Sequence, residues 1–164
     1  MTITRAGSIK GFVSWLIVTF IAAAVGGIAS VNSPAFYLQL SKPTWAPPAS
    51  LFGPVWTVLY LLMAIAAWMV WKERASLTNT RVPLTLYVVQ LVLNSLWTWL
   101  FFAWKQGALA CADIVVLWIL LLATIIGFWR VRPLAGALMV PYIAWVSFAT
   151  ALSFAVWQLN PGLL

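Results

Sequence analysis

The chain alternates between long apolar segments and short polar ones. The apolar segments cover residues 12–31, 53–71, 82–104, 108–129 and 134–158. Each is close to the roughly 20 residues that a helix needs to cross a bilayer. Strands of a membrane barrel would instead alternate apolar and polar side chains. The pattern predicts an all-α integral membrane protein, a five-transmembrane-helix bundle in a single domain of residues 1–164.

Composition supports a membrane protein and narrows its chemistry. The chain is 65% hydrophobic and only 7% charged, whereas soluble domains carry about 25% charged residues. It has no histidine and one cysteine, Cys111, which excludes a disulfide within the chain and histidine-based catalysis. We therefore expect no metal site and no required cofactor. Arg5 and Lys10 before the first apolar segment are typical of a signal peptide, but that segment is long enough to span the bilayer.

The basic residues are distributed unevenly between the two ends of the predicted bundle. Seven lie on the side of the N-terminus: Arg5, Lys10, Lys72, Arg74, Arg81, Arg130 and Arg132. Two, Lys42 and Lys105, lie on the other side. The positive-inside rule predicts a cytoplasmic N-terminus, with residues 32–52 and the C-terminus outside. The net charge of +7 is explained by this topology, so no nucleic-acid partner is expected.

Residues 32–52 form the first connection, which is long and rich in proline and aromatic residues. Residues 36–40 are consistent with a short helix at the membrane interface. Pro47 and Pro48 cannot lie inside a helix, so the connection continues through a stiff turn that contains Trp45. We interpret this connection as the lid of a ligand site.

Helix geometry places several large side chains beneath this lid, at 1.5 Å of depth per residue. The residues predicted there are Trp56, Asn94, Trp97, Trp145 and Ala149. Ser153 shares a helix face with Ala149, where the small alanine leaves space. A pocket with aromatic faces and no charge suits a flat apolar ligand. Packing within the bundle is the alternative role for Trp97 and Trp145.

Some polar or small residues inside the spans have two interpretations. Gln90 and Asn94, one helical turn apart, either join helices or contact a ligand. Asp113 marks a proton or ion path, or it lies close enough to the surface to meet water or Lys105. The small residues around Gly26 favour a close helix contact, either within the bundle or between two copies. Trp118 is interpreted as a core or lipid-facing residue, because it has no polar or kinked neighbour that favours a site.

Four motifs, in this order, resemble the tryptophan-rich sensory protein/translocator protein family, also called TspO/MBR or peripheral-type benzodiazepine receptors. They are KPTWAPP at 42–48, FGPVWTVLYLLMAIAAWMVW at 52–71, QLVLNSLWTWLFF at 90–102 and PYIAWVSFATAL at 141–152. The resemblance runs along nearly the whole chain. It implies a bacterial member with a five-helix bundle, usually a homodimer.

The resemblance also implies ligands and a site. Members bind porphyrins such as protoporphyrin IX, haem-like tetrapyrroles, and benzodiazepine- or isoquinoline-type compounds under the first loop. The family's pocket positions fall here on Phe36, Tyr37, Trp45, Trp56, Asn94, Trp97, Trp145 and Ala149. Trp56 and Trp145 match the tryptophans with which some bacterial members degrade protoporphyrin in light. The chain departs from the family at Phe154 and Gln158, where animal members have the tyrosine and basic residue of a sterol pattern, so sterol binding is not expected.

Three functions remain open from the sequence. The first is a receptor, sensor or transporter for tetrapyrroles, in which Lys42 or Lys105 pairs with ligand propionates. The second is a light-dependent porphyrin-degrading enzyme that oxidises its pocket tryptophans; ordinary acid–base catalysis is poorly supported without histidine or paired carboxylates. The third is a proton-coupled exporter that uses Asp113.

Overall fold

The computed structural model describes residues 4–75 and 79–164, and part of the polar loop predicted before Arg81 lies outside them. The helices are α1 (Arg5–Ala29), α2 (Ser33–Gln39), α3 (Phe52–Lys72), α4 (Arg81–Thr98), α5 (Gly107–Val131) and α6 (Pro133–Leu159). Short turns at Ala49–Leu51, Glu73–Ala75 and Trp99–Ala103 extend α3 and α4. Among the described residues, five helices are long and apolar enough to cross a membrane. The predicted five-helix fold is confirmed.

The first span begins earlier than its apolar segment suggests. Thr4 caps α1 by accepting a hydrogen bond from the backbone N–H of Gly7 at 3.2 Å, so the helix starts at Arg5 instead of residue 12. The cap satisfies a backbone donor that the first turn of any helix leaves free. Arg5 and Lys10 therefore belong to the helix itself, because capping determines where a helix starts more directly than hydropathy does.

The five spans pack around one core. α5 lies against α4 and α6, α3 lies against α1 and α6, and α1 also reaches α4. The largest fully buried side chains at the centre include Met63, Tyr87, Phe128, Met139 and Tyr142. We call the end of the bundle that carries α2 and residues 40–51 the loop end. Pro141 lies inside α6, which continues without a break from Pro133 to Leu159.

α1 changes its packing partner along its length. Far from the loop end it packs on α3, where the indole N–H of Trp68 donates to the Ser8 carbonyl at 3.0 Å. Towards the loop end it packs on α4, and Ser95 Oγ donates to the Ala22 carbonyl at 2.9 Å. A Cβ on Gly26 would lie 3.3 Å from Thr98 Oγ1. The small residues of α1 therefore bring its backbone close to α4 inside the bundle, which is the first of the two interpretations given above.

α4 ends in a widened turn. The N–H of Trp104 donates to the Trp99 carbonyl at 2.8 Å, and that of Gln106 to Leu100 at 2.8 Å. These bonds span five and six residues, as in the π-turns that often end or interrupt helices. Lys105 then turns the chain with a φ of 53°. Because of this turn, the regular helix ends at Thr98 and not at residue 104.

Gly136 provides a test of the close contact between α5 and α6. A Cβ at this position would lie 2.6 Å from Trp129 Cε3 and 3.0 Å from Trp129 Cα. We expect Gly136→Ala to destabilise the protein by about 1–3 kcal/mol through overpacking. The measurement is the midpoint of thermal unfolding in detergent.

Gly27→Ala is the matched control, because a Cβ there would meet no other described atom within 4 Å. It should raise stability by roughly 0.5–1 kcal/mol, the ordinary gain from replacing a helical glycine. Equal midpoints for the two variants would contradict the proposed contact at Gly136.

Candidate functional site

A cavity of about 460 Å³ lies at the loop end of the bundle. Four spans, α1, α3, α4 and α6, form its sides, and α2 and the turn Ala49–Leu51 form its cover. Of the ten residues predicted from the sequence for the site, six line this cavity: Tyr37, Trp56, Asn94, Trp97, Trp145 and Ala149. No acidic or basic side chain is among the described residues that line it.

One wall of the cavity is an aromatic face of α3. Phe52, Trp56 and Tyr60 recur every four residues and therefore share one side of the helix. The ring centroid of Trp56 lies 5.6 Å from that of Tyr60 and 6.0 Å from that of Tyr142. Such contacts hold the indole in place. α3 thus presents a row of flat apolar surfaces to the cavity.

Trp145 on α6 connects this wall to the first connection. Its ring centroid lies 5.9 Å from that of Phe52 and 5.5 Å from that of Phe148. Phe148 in turn packs against Trp45, with centroids 5.8 Å apart. One tryptophan therefore links α3, α6 and the proline-rich turn, and its position depends on all three.

Trp97 and Trp145 supply hydrogen-bond donors to the site. Both indole Nε1 atoms are buried and have no hydrogen-bond partner among the described residues, and both side chains line the cavity. A buried donor without a partner costs about 1–3 kcal/mol. The two N–H groups can therefore bind acceptor atoms of a ligand with little competition from the protein.

A hydrogen-bonded polar cluster lies below the aromatic walls. Tyr60 donates to Asn94 Oδ1 at 3.3 Å, and Asn94 Nδ2 donates to the Tyr142 hydroxyl at 2.5 Å. Tyr142 then donates to Gln90 Oε1 at 3.0 Å. Asn94 thus joins α3, α4 and α6, which is one of its two predicted roles. It also lines the cavity, where contact with a ligand stays a prediction.

The cover of the cavity is held by polar contacts within the first connection. The Tyr37 hydroxyl donates to the Pro47 carbonyl at 2.9 Å, and burial raises the pKa of this phenol, so it keeps its proton. Lys42 Nζ donates to the carbonyls of Tyr37 at 2.6 Å and Leu40 at 3.0 Å. Lys42 therefore caps the end of α2 and is engaged there, which differs from the predicted role as a partner for propionates.

The C-terminal cap of α6, Asn160, also holds the cover. Asn160 Oδ1 accepts from the backbone N–H of Ser41 at 2.9 Å, and its Nδ2 donates to the Ser41 carbonyl at 2.8 Å. Nδ2 also donates to the Val156 carbonyl at 2.7 Å. This partly buried clamp joins residues far apart in sequence and fixes the first connection to the end of α6.

Four of the predicted site residues lie away from the cavity lining. Phe36 is buried behind it, against Phe102, with centroids 6.5 Å apart. Trp45 is 47% exposed and reaches the site only through Phe148. Gln90 and Ser153 are buried in the bundle; Gln90 is a structural partner of Tyr142, and its Nε2 has no hydrogen-bond partner within the described chain.

Three other residues singled out from the sequence lie outside the described cavity lining. Trp118 packs against the core, as interpreted from the sequence, and its indole donates to Ser147 Oγ on the adjacent helix α6 at 2.8 Å. Asp113 does not line the cavity. Lys105 is not among the described residues that line the cavity. Its Nζ lies 4.9 Å from the ring centroid of Phe36.

Sequence reasoning missed several cavity residues. Phe52 and Tyr60 lie four residues before and after Trp56, so the helical spacing could have identified them. Gly26, Gly27 and Ser30 of α1 also line the cavity, and their small size was the available signal. Thr98 and Phe102 line it from the end of α4, where the widened turn directs side chains in a way that regular helical spacing does not predict.

The fold and the cavity define a multi-pass integral membrane protein with an aromatic pocket beneath its first connection. The chain belongs to the TspO/MBR family, whose sequence profile matches residues 14–158. It is 41% identical over 147 residues to the protein CrtK of Rhodobacter capsulatus, covering 88% of this chain and 92% of that protein.

Two further relatives extend the similarity across bacteria and animals. The tryptophan-rich sensory protein of Cereibacter sphaeroides is 40% identical over 149 residues, which are 88% of this chain and 91% of that protein. The human translocator protein is 41% identical over 128 residues, which are 77% of this chain and 76% of that protein. The resemblance seen in the four motifs is thereby confirmed.

Proposed function

We propose that this protein is a membrane receptor, sensor or transporter that binds porphyrins and related tetrapyrroles in the aromatic cavity. The observation that carries the proposal is the lining itself: Trp56, Trp97 and Trp145 surround the cavity, and two of their indole N–H groups have no partner in the described protein. A flat macrocycle offers apolar faces to such rings. The two imine-type ring nitrogens of a free-base porphyrin offer acceptors to these donors.

The dimensions and charge of the cavity support a ligand of this class. Small-molecule sites are commonly about 300–1,000 Å³ and mostly apolar, with a few fixed polar groups, and this cavity measures about 460 Å³. Its described lining holds no ionised side chain. The carboxylates of a porphyrin would therefore stay at the opening, while its macrocycle lies against the aromatic side chains of α3 and α6. Benzodiazepine- and isoquinoline-type compounds share the flat apolar body and are expected to compete.

Dark binding of protoporphyrin IX tests the proposal. We expect the intrinsic tryptophan fluorescence of the detergent-solubilised protein to be quenched saturably by protoporphyrin IX at micromolar or lower concentration. The quenching should arise because Trp56, Trp97 and Trp145 lie against the ligand. The Soret band of the bound porphyrin should keep its intensity in the dark.

Linear quenching that never saturates, with the same slope for free N-acetyl-tryptophanamide in the same micelles, would contradict the proposal. Loss of the Soret band that requires light and Trp56 or Trp145 would instead indicate the degrading enzyme. Flux of the ligand that Asp113→Asn abolishes, with binding intact, would indicate the exporter.

A further inference from the structure

We propose that ligands enter the cavity sideways from the membrane, through an opening between α1 and α3 that Gly27 and Gly53 flank. The inference rests on the proposed function, because it concerns the route of the ligand that the cavity binds. In this proposal, the two glycines determine which ligands can pass through the opening. The class of ligand is a flat amphiphile dissolved in the membrane leaflet at the loop end.

The two glycines line the cavity and are also exposed on the outer surface of the bundle. Gly27 on α1 and Gly53 on α3 both line the cavity, and both are exposed. A Cβ added to either would meet no other atom of the described chain within 4 Å. Space therefore continues from the cavity past both backbones, and a larger side chain at either position would occupy it.

The packing of α1 explains why an opening lies here. Far from the loop end α1 and α3 are in close contact, with Phe12 against Trp68 at 5.2 Å between ring centroids. Near the loop end α1 instead contacts α4, and the indole of Trp99 donates to the Val25 carbonyl at 3.1 Å. α1 still contacts α3 where Phe20 lies 6.3 Å from Tyr60 between ring centroids. Beyond that level, beside Gly27, we infer a gap between α1 and α3, because α1 there follows α4 and a Cβ on Gly27 would meet no described atom within 4 Å.

The opposite route, from water through the first connection, is closed by the contacts of the cover. The Tyr37 hydroxyl bonds to the Pro47 carbonyl, and Lys42 caps α2. The Asn160 side chain bonds to both the backbone N–H and the carbonyl of Ser41. A ligand entering from water would have to break several of these bonds. The path between α1 and α3 requires no bond of the cover to break.

The surface on both sides of the opening is apolar, as expected for contact with lipid. Ile28 and Val31 near the end of α1 are 64% and 73% exposed, and Val58 and Leu61 of α3 are 56% and 44% exposed. A hydrophobic ligand concentrates in the bilayer next to such a surface. It can then pass edge-on between the two glycine backbones towards Trp56.

Rates of binding in a bilayer test the route. The full-length protein in lipid nanodiscs is mixed with protoporphyrin IX in the dark, and tryptophan quenching is followed by stopped flow. For Gly27→Phe we expect both the association and the dissociation rate constants to fall by about tenfold or more, since passage then requires a protein movement. The matched control is Ala24→Phe, an exposed position of α1 outside the cavity lining, which should keep the rates of the wild type.

Gly53→Leu is the second variant and should slow both rates in the same way, so the test does not depend on one substitution. The thermal midpoint of each variant confirms folding. Asn160→Ala loosens the cover, and the association rate should stay unchanged if ligands enter sideways.

Three results would overturn the route while leaving the proposed function intact, provided that the wild type binds saturably. The first is unchanged rates in both glycine variants. The second is faster dissociation with unchanged association in the glycine variants, and the third is faster association in Asn160→Ala. Absence of saturable binding by the wild type would instead reject the proposed function, and the route with it.

Discussion

Trp145→Ala is expected to weaken dark binding of protoporphyrin IX roughly 30-fold, about 2 kcal/mol, as for a central aromatic contact in a binding site. The reason is that one side chain supplies three things to the cavity. It provides a flat apolar face, a buried indole N–H without a partner in the described chain, and the contacts to Phe52 and Phe148 that hold the wall and the cover together. The measurement is the fluorescence titration described above.

Two further variants separate these contributions. Trp145→Phe keeps an aromatic ring and removes the donor, so we expect a loss of only about 0.5–1.5 kcal/mol, the usual value of one hydrogen bond. Trp118→Ala is the control, because Trp118 is also partly buried but bonds to Ser147 on another side of α6. If Trp118→Ala weakened binding as much as Trp145→Ala did, a nonspecific effect on the micelle or the fold would explain both.

Asn94→Leu is expected to lower the free energy of unfolding by about 1–3 kcal/mol, because it leaves buried polar groups without partners. Asn94 accepts from Tyr60 and donates to Tyr142, so it joins three helices in an apolar environment. Leucine has the same branching at Cγ but is larger than asparagine, so the effect of packing has to be separated from that of the hydrogen bonds. Unfolding in detergent, followed by loss of the helical circular dichroism signal, measures the change.

A mutant cycle shows whether the hydrogen bonds cause the loss. In the Asn94→Leu background, Tyr60→Phe removes the hydroxyl left without its acceptor, so the double variant should recover part of the stability. In the wild-type background the same Tyr60→Phe change should be destabilising. Strictly additive effects would mean that Asn94 acts through packing alone.

The fold could be predicted from the sequence because hydropathy and helix length determine it in a bilayer. Five apolar segments of about 20 residues give five spans, and rise per residue places Trp56, Trp97 and Trp145 at a common depth. Those three side chains lie together in the structure around one cavity. Depth along a helix is a local property, and one sequence is enough to estimate it.

Other features depend on contacts between helices and were not accessible in this way. Whether Gln90 or Asn94 reaches the cavity depends on how α4 is rotated against α3 and α6, and both residues have the same type of side chain. The role of Lys42 as a cap of α2 depends on how the first connection folds. The widened turn after Thr98 shifts the faces of the following residues, so Phe102 was not recognised as a cavity residue.

The clamp between Asn160 and Ser41 has a consequence for the assembly of the protein during synthesis. The first connection leaves the ribosome early, but its anchor, Asn160, directly follows the fifth span, α6. A growing chain therefore cannot close the cover over its cavity until the fifth span has been inserted. A truncation before Asn160 would leave an inserted protein whose first connection lacks this clamp.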